Sequence, residues 1–386
     1  MKRIGSIDFM RGLVMIIMAL DHVREFMHNG AYSPDPVNLQ TTTAFLFFTR
    51  WITHICAPSF LFLAGTSAYL SFRKRNNPSE TRRFLLTRGI MLIILDLTIV
   101  NFSLWFDVHF RLLLFEVIAA IGFSFILLAL FIRLPLYVTA SAGLLIIFCH
   151  NLLPGNLTGD QVSGFLYSLF FRPGMAQISP DLTLYVAYPF IPWAGILLTG
   201  FAAGKIFESD PARQSRIFMI TGISSLLLFT VLRLINGYGD PAAWADQKSG
   251  FFTFLSFINV TKYPPSLLFI LLFIGLMFLL ISWSDRINSK FREIVSVYGR
   301  VPFFYFIIHI YLIHLGMFVM LFLQGFGLRD FHFGIFLNGR PDRISGISLG
   351  MVYVVWAGAV LLLYPVCRWY GRFKEKHRDN KVLRYL

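Results

Sequence analysis

The sequence has little charge for its length. Of its 386 residues only 14% are Asp, Glu, Lys or Arg, whereas 56% are hydrophobic and 43 are phenylalanine. A water-soluble domain carries about 25% charged residues, because its surface must be solvated. This much apolar area could not be hidden within a monomeric soluble protein. The composition excludes a disordered chain, a coiled coil, a collagen-like repeat and a nucleic-acid-binding domain, and it indicates a polytopic membrane protein.

Cysteine is also scarce, with three residues that all lie within apolar runs: Cys56, Cys149 and Cys367. They form no CxxC pair, disulfide framework or zinc-type spacing. The histidines and carboxylates form no HExxH or comparable ligand set, so we expect no metal. The net charge of +14 is typical of a membrane protein whose Lys and Arg collect in cytoplasmic loops that face anionic lipid. It therefore does not indicate a nucleic-acid partner.

Long apolar runs predict an all-α transmembrane helix bundle of about ten spanning helices, forming a single domain over residues 1–386. A spanning helix needs about 20 mostly apolar residues to cross roughly 30 Å. Pro58 should kink or open the second run, and the aromatic segment 251–260 could be re-entrant. The predicted spans cover residues 7–27, 43–72, 84–104, 112–132, 136–152, 183–204, 217–235, 265–283, 303–325 and 347–367.

The distribution of Lys and Arg orients these spans. With the amino terminus inside, the inner connections hold 22 Lys and Arg residues and the outer connections hold 7. Cytoplasmic connections carry the excess of positive charge in membrane proteins. The sequence therefore predicts that both termini are cytoplasmic, together with the loops 73–83 and 284–302.

The first span carries ionisable residues along one helical face. Asp8, Arg11 and His22 are separated by spacings of three or four through Met15 and Met18, so they share one stripe. Asp8 should pair with Arg11 one turn later, and Arg11 to His22 is roughly 16 Å along the axis. Ionisable groups in hydrocarbon are costly, which makes this stripe a candidate functional site. A polar contact between helices is the alternative interpretation.

Further candidates lie beside this stripe and elsewhere in the chain. Asp21 and Arg24 flank His22 and could form an ion pair or orient a substrate. His54 lies within the second span, one turn from Arg50. His309 and His314 are about 140° apart on one helix and cannot face a single cavity in the same way. Lys262 and Tyr263 precede a proline pair that is typical of a helix start, and they could also bind a ligand.

Several segments resemble one family. The first span, SIDFMRGLVMIIMALDH, is similar to the first helix of transmembrane acyltransferases, and specifically of the heparan-α-glucosaminide N-acetyltransferase catalytic family, which has many bacterial members. Further similarity lies in PSFLFLAGTSAYLS (58–71), LLLFEVIAAIGFSFILLAL (112–130), NVTKYPPSLLF (259–269) and YGRVPFFYFIIHIYLIH (298–314). These segments follow in the expected order over nearly the whole chain.

The resemblance implies acetyl transfer from cytosolic acetyl-CoA, across the bilayer, to an amine or hydroxyl of an envelope sugar or glycan. It implies a multi-pass protein of the bacterial inner membrane, in contact with lipid, and a homo-oligomer is possible. The wider superfamily has an arginine followed eleven residues later by a histidine, as Arg11 and His22 are, and an arginine-rich stretch before its third helix. In the heparan enzyme, however, the catalytic histidine lies after the first helix, which leaves the base open between His22, His28 and His54.

The reaction itself demands similar groups. Acyl transfer needs a base for the acceptor proton and hydrogen-bond donors for the developing oxyanion. The phosphates of acetyl-CoA need Arg or Lys.

A transporter is the alternative function, although the paired repeats typical of transporters are not visible in the sequence. The predicted residues are His22, Asp21, His54 and His28 for catalysis, Asp8, Arg11, Arg82, Arg83 and Arg88 for acetyl-CoA, and Arg24, Lys262, Tyr263 and His309 for the acceptor.

Overall fold

The computed structural model describes residues 4–30, 35–153, 161–377 and 380, and it is mostly helical. The helices are α1 (Gly5–Met27), α2 (Ala44–Thr53), α3 (Cys56–Arg75), α4 (Pro78–Leu95), α5 (Asn101–Trp105), α6 (Val117–Phe131), α7 (Leu136–Cys149), α8 (Gln161–Phe170), α9 (Phe190–Ala203), α10 (Pro211–Ile235), α11 (Gly250–Ile258), α12 (Leu267–Trp283), α13 (Ser289–Gly299), α14 (Pro302–Leu323) and α15 (Leu349–Lys376). The strands are β1 (Leu112–Phe115), β2 (Gly174–Ser179), β3 (Leu182–Val186), β4 (Phe333–Gly334) and β5 (Leu337–Asn338).

Every one of the ten predicted runs contains a helix, so the chain is a multi-pass membrane protein by helix length and composition. In the described part of the chain, seven segments are long and apolar enough to cross a membrane. Two of the other runs hold shorter apolar helices, Val117–Phe131 and Leu136–Leu152, and the remaining one is the charged helix α1. The seven long segments are Ala44–Arg75, Pro78–Trp105, Phe190–Glu208, Pro211–Ile235, Leu267–Arg286, Pro302–Leu323 and Leu349–Lys376.

Two predicted spans begin too early, because short apolar strands precede their helices. Residues Leu112–Phe115 form β1 and Leu182–Val186 form β3, in a small sheet of order β1-β3-β2. Short apolar runs do not distinguish a strand from a buried helix by periodicity. The all-α prediction is thus wrong at these positions. The helices themselves begin at Val117, capped by the Glu116 side chain, and at Phe190.

The second predicted span is divided, as Pro58 suggested. Helix α2 ends at Thr53 and α3 begins at Cys56, with His54 and Ile55 between them. Proline has no N–H to donate to the carbonyl four residues earlier, which here is that of His54. The polar side chain of His54 therefore lies at a break in a membrane-spanning segment and not within a regular helix.

The described residues divide into two compact units. The first comprises residue 4, 57–97, 113–153 and 161–285, and the second comprises 5–30, 35–56, 98–112 and 286–377 with 380. The prediction of a single domain stays a prediction. The predicted orientation also stays a prediction, and the chain ends at 1–3 and 381–386 lie outside the described residues.

Close backbone contacts at glycine hold the first unit together. A Cβ at Gly65 of α3 would lie 2.0 Å from the carbonyl oxygen of Leu197, and a Cβ at Gly200 of α9 would lie 2.2 Å from that of Phe62. Small residues let membrane helices approach closely where lipid provides no hydrophobic drive between them. The α3–α9 contact therefore requires glycine on both helices.

A buried guanidinium fixes the connection between α10 and α12. Arg233 is 1% exposed and donates to four backbone carbonyls, those of Phe257 (2.9 Å), Ala242 (2.8 Å), Ser256 (3.0 Å) and Asn259 (2.8 Å). These bonds satisfy a charge that would otherwise be costly at this depth. The arginine thereby closes the loop that carries Lys262 and Tyr263.

In the second unit, α1 packs against α2, α13, α14 and α15. Its contact with α13 is again backbone to backbone: a Cβ at Gly12 would lie 1.9 Å from the carbonyl oxygen of Val295, and one at Gly299 would lie 1.9 Å from that of Asp8. The indole of Trp356 donates to the Ile16 carbonyl at 2.8 Å. Helix α1 is thus held on several sides, which fixes the direction of its polar side chains.

The orientation can be tested with two single cysteines. Lys74→Cys lies at the end of α3 in the predicted inner loop, and Ile344→Cys replaces a 96% exposed residue in a predicted outer connection. Because of the asymmetry in positive charge, we expect a membrane-impermeant maleimide to label residue 344 in intact cells and residue 74 only after permeabilisation. Labelling of residue 74 from outside would reverse the predicted direction of transfer.

Candidate active site

The centre of the candidate site is a pair of histidines from two helices of the second unit. Nδ1 of His22, on α1, lies 2.7 Å from Nε2 of His309, on α14. The rings are stacked, with centroids 4.9 Å apart and planes inclined by 13°. His309 has no exposed surface, whereas His22 is partly exposed. One ring is therefore enclosed and the other is accessible.

The contacts of His309 determine which nitrogens carry protons. Its Nδ1 lies 2.9 Å from the carbonyl oxygen of Tyr305, and a carbonyl can only accept, so this nitrogen donates. In a neutral ring Nε2 then holds the lone pair. That lone pair accepts from Nδ1–H of His22, which places the lone pair of His22 on its own Nε2. A histidine with one nitrogen held by a neighbour and a lone pair on the other is arranged as a general base.

His309 is itself held by its own helix. The ring stacks on that of Tyr305, with centroids 5.0 Å apart and planes inclined by 14°, and it meets the ring of Phe306 edge to face at 5.8 Å. Tyr305 is completely buried. Because packing locks the orientation of His309, the ring can in turn orient His22. The sequence predicted His309 as an acceptor-binding residue, whereas its contacts are those of a residue that positions His22.

Next to His22, Asp21 joins two arginines. Its Oδ1 accepts from Nε and Nη2 of Arg24 at 3.2 and 3.0 Å, and its Oδ2 accepts from Nη1 of Arg50 on α2. Asp21 and Arg24 are buried. The predicted Asp21–Arg24 pair is therefore present, and Arg50 extends it into a triad. Arg50 was noted in the sequence only as a neighbour of His54, since nothing local shows that α2 faces Asp21.

Arg11 lies at the other end of α1, near the start of the helix. Its Nη1 is 3.9 Å from Oδ1 of Asp8, as the spacing of three predicts, and its side chain is 19% exposed. Asp8 also lies in the first turn, where a carboxylate is favoured by the helix dipole. The stripe from Asp8 to His22 thus exists as predicted, with a cation at one end and the histidine pair at the other.

His28 follows α1 and has a different hydrogen-bond pattern. Its Nδ1 lies 3.1 Å from the backbone N–H of Gly30 and accepts from it, so the neutral ring carries its proton on Nε2. The guanidinium of Arg340, which is 3% exposed, donates to the His28 carbonyl at 2.9 Å. Burial lowers the pKa of His28, and the charges of Arg24 and Arg340 lower it further. The ring is neutral near pH 7, but its lone pair is directed at a backbone amide.

His54 and His314 are more deeply enclosed. His54 is 4% exposed at the break between α2 and α3. His314 has no exposed surface, and both of its nitrogens meet carbonyl oxygens, that of Ser103 and that of Asn338, each at 2.8 Å. Both nitrogens of His314 therefore face backbone carbonyls. Its contacts are those of a residue that joins three segments of the second unit.

The remaining predicted residues belong to the first unit. Arg82 and Arg83 are exposed on α4. Arg88 is half-buried, with its guanidinium carbon 5.7 Å from the ring centre of Phe125. The three arginines of α4 thus belong to the first unit, whereas Asp8 and Arg11 belong to the second.

Lys262 and Tyr263 form a small aromatic cluster with Tyr188, also in the first unit. The hydroxyls of Tyr188 and Tyr263 are 3.3 Å apart, and Nζ of Lys262 lies 4.9 Å from the ring centre of Tyr263. Burial raises the pKa of the adjacent Tyr185, and Tyr263 and Glu116 raise it further.

Among the residues that the structure describes, no group of three His, Cys, Asp or Glu side chains could hold a metal.

Comparison with known families gives one match. Residues 3–235, more than half of the chain, match the family described as heparan-alpha-glucosaminide N-acetyltransferase, catalytic. The matched segment includes Arg11, Asp21, His22 and the arginines of α4, and it ends before Lys262 and His309. No curated protein matches the chain.

Proposed function

Because the chain belongs to the heparan-α-glucosaminide N-acetyltransferase catalytic family, whose members are acetyl-CoA-dependent membrane N-acetyltransferases, we propose that it moves an acetyl group from cytosolic acetyl-CoA to an amine or hydroxyl of a sugar on the outer side of the membrane. The observation that carries this proposal is the His22–His309 pair. A partly exposed imidazole, oriented by an enclosed one, suits the removal of a proton from an acceptor.

The chemistry is an acyl transfer in two steps. The acceptor nitrogen or oxygen attacks the thioester carbonyl carbon while Nε2 of His22 takes its proton, and a tetrahedral oxyanion forms. The oxyanion then collapses, the carbon–sulfur bond breaks, and the CoA sulfur leaves with the proton from His22. The products are the acetylated acceptor and CoA. Removing the proton during attack is worth about 10²–10⁴-fold in rate.

Other residues of the second unit have supporting roles in this proposal. Asp21 is a positioning residue, because both of its oxygens are engaged by Arg24 and Arg50. Arg11, beside Asp8, is assigned to the phosphates or pantetheine arm of the donor, since guanidinium groups bind phosphate through paired N–H donors. Arg82, Arg83 and Arg88 stay predicted donor contacts, and Lys262 and Tyr263 stay predicted acceptor contacts.

Two alternatives for the base are less well supported. The lone pair of His28 is directed at the Gly30 amide, so the ring would have to give up this bond before it could accept a proton there. His54 is almost fully buried, which leaves little surface for an acceptor. His22 combines partial exposure with a tautomer that is set by a second histidine, His309, which is itself fully enclosed.

A doubly labelled donor tests the proposal against the transporter alternative. Purified protein in proteoliposomes is given acetyl-CoA that carries one radiolabel in the acetyl group and another in the adenine, with glucosamine on the opposite side. Acetyl transfer predicts that only the acetyl label becomes attached to the sugar, with one CoA thiol released per acetyl group. Movement of both labels together, or of unmodified sugar, would indicate transport instead.

A further inference from the structure

A polar cavity lies within the first unit. It has a volume of about 720 Å³, within the range of ligand pockets, and it is formed by α3, α4, the α6–α7 turn and the end of α9. Three cationic side chains line it, Arg73, Arg133 and Lys205, with one carboxylate, that of Glu208. Positive charge is therefore in excess in the cavity wall.

The single carboxylate is already engaged. Oε1 of Glu208 accepts from Nε of Arg73 at 2.7 Å and from the hydroxyl of Tyr69 at 3.1 Å. Arg133 donates through Nη2 to the hydroxyl of Ser79 at 3.0 Å, which is a neutral partner. Among the described residues, neither Arg133 nor Lys205 contacts a carboxylate. The positive charges of Arg133 and Lys205 are therefore not balanced by the wall's carboxylate and can attract an anion.

Much of the rest of the wall is apolar, and exposed apolar side chains lie at its edge. Phe72, Phe201 and Leu136 line the cavity beside the charges. Leu134 at its edge is 46% exposed, and the neighbouring Tyr137 is 71% exposed. These helix ends meet the predicted cytoplasmic connections, where anionic lipid faces the protein. A ligand that suits the cavity has a small anionic head and an apolar body.

We propose that this cavity binds the phosphate headgroup of an anionic phospholipid, with Arg133 and Lys205 as its charge contacts. The phosphodiester of such a lipid carries one negative charge, which two cations can hold beside the engaged Glu208. Acetyl-CoA fits less well, because its several phosphate charges would lie against that carboxylate. The glycerol and the first carbons of the acyl chains would contact Phe72, Leu136 and Phe201.

The proposal is tested by native mass spectrometry of lipid retained after purification. Detergent-solubilised protein is equilibrated with equal amounts of phosphatidylglycerol and phosphatidylcholine. The double variant Arg133→Gln/Lys205→Gln should lose retention of phosphatidylglycerol by about tenfold or more, because each Lys or Arg near an anionic headgroup contributes about 1 kcal/mol. The matched control Arg213→Gln/Arg216→Gln removes the same charge from exposed positions of α10 outside the cavity and should retain the lipid as the parent protein does.

Three results would overturn the proposal. Equal loss in the control variant would show that bulk charge, and not the cavity, attracts the lipid. Unchanged retention in a correctly folded cavity variant, with its melting temperature preserved, would show that these cations bind no lipid. A loss of CoA binding with lipid retention intact would assign the cavity to the donor.

Discussion

Replacing His22 with alanine is expected to slow acetyl transfer by about 10²–10⁴-fold, while binding of acetyl-CoA stays largely intact. The alanine variant keeps the backbone of α1 but removes the nitrogen that takes the acceptor proton. His22→Gln should be nearly as slow, since an amide has the size of imidazole but no basic lone pair at neutral pH. The comparison requires single-turnover rates and equilibrium binding of acetyl-CoA for both variants.

The same measurement distinguishes a base from a structural histidine. His309→Gln retains an oxygen that can accept from Nδ1–H of His22, so it should lose less activity than His309→Leu, which cannot accept. The rate of the parent enzyme should fall towards acid pH, because a protonated His22 has no lone pair to offer. Near-normal turnover of His22→Ala together with an inactive His28→Ala or His54→Ala variant would move the base to that residue.

Asp21→Asn is expected to destabilise the protein by about 3–5 kcal/mol, the usual effect of removing one partner from a buried charge cluster. The change keeps the shape of the side chain but removes the carboxylate that pairs with both Arg24 and Arg50. Their side chains are only 6% and 16% exposed, so water cannot easily compensate. Denaturant unfolding in detergent, followed by tryptophan fluorescence, measures the free energy of unfolding.

A surface aspartate and a double variant complete this test. Asp246→Asn changes an exposed carboxylate and should alter the unfolding free energy by less than about 0.5 kcal/mol. In Asp21→Asn/Arg50→Gln one of the two guanidinium groups that pair with Asp21 is also gone, so part of the lost stability should return, as expected for coupled residues. If Asp21→Asn is as stable as Asp246→Asn, the triad contributes little and Asp21 is not a positioning residue.

Local patterns predicted the helices and the polar face of α1 well. Each of the ten apolar runs contains a helix, although α8, α11 and α13 lie outside them. Spacings of three gave the Asp8–Arg11 and Asp21–Arg24 pairs, because residues one turn apart on a helix are neighbours whatever surrounds them. Pro58 likewise indicated the break at His54, because proline has no N–H to donate to the His54 carbonyl. The strands β1 and β3 were not predicted, because a run of four or five apolar residues is too short to show whether its periodicity is that of a strand or of a helix.

Contacts between residues that are distant in the sequence could not be predicted from these local patterns. His22 and His309 are separated by 287 residues, and no local pattern shows that α14 lies against α1 with that ring directed inward. Arg50 and Asp21 are 29 residues apart, across a connection whose geometry the sequence does not specify. The sequence therefore named most of the polar residues of the candidate site, whose roles stay predictions, but it did not show which of these residues contact one another.

The enclosure of His309 limits where a proton can travel. Its Nδ1 already carries a hydrogen directed at the Tyr305 carbonyl, and a second proton on Nε2 would place a charge on a ring with no exposed surface, which is costly. Protons are therefore not expected to pass through the protein by way of the His22–His309 pair. In the proposed mechanism a proton taken up by Nε2 of His22 therefore leaves from the same nitrogen. The base is regenerated when the departing CoA sulfur takes that proton, without proton exchange with the water on either side of the membrane.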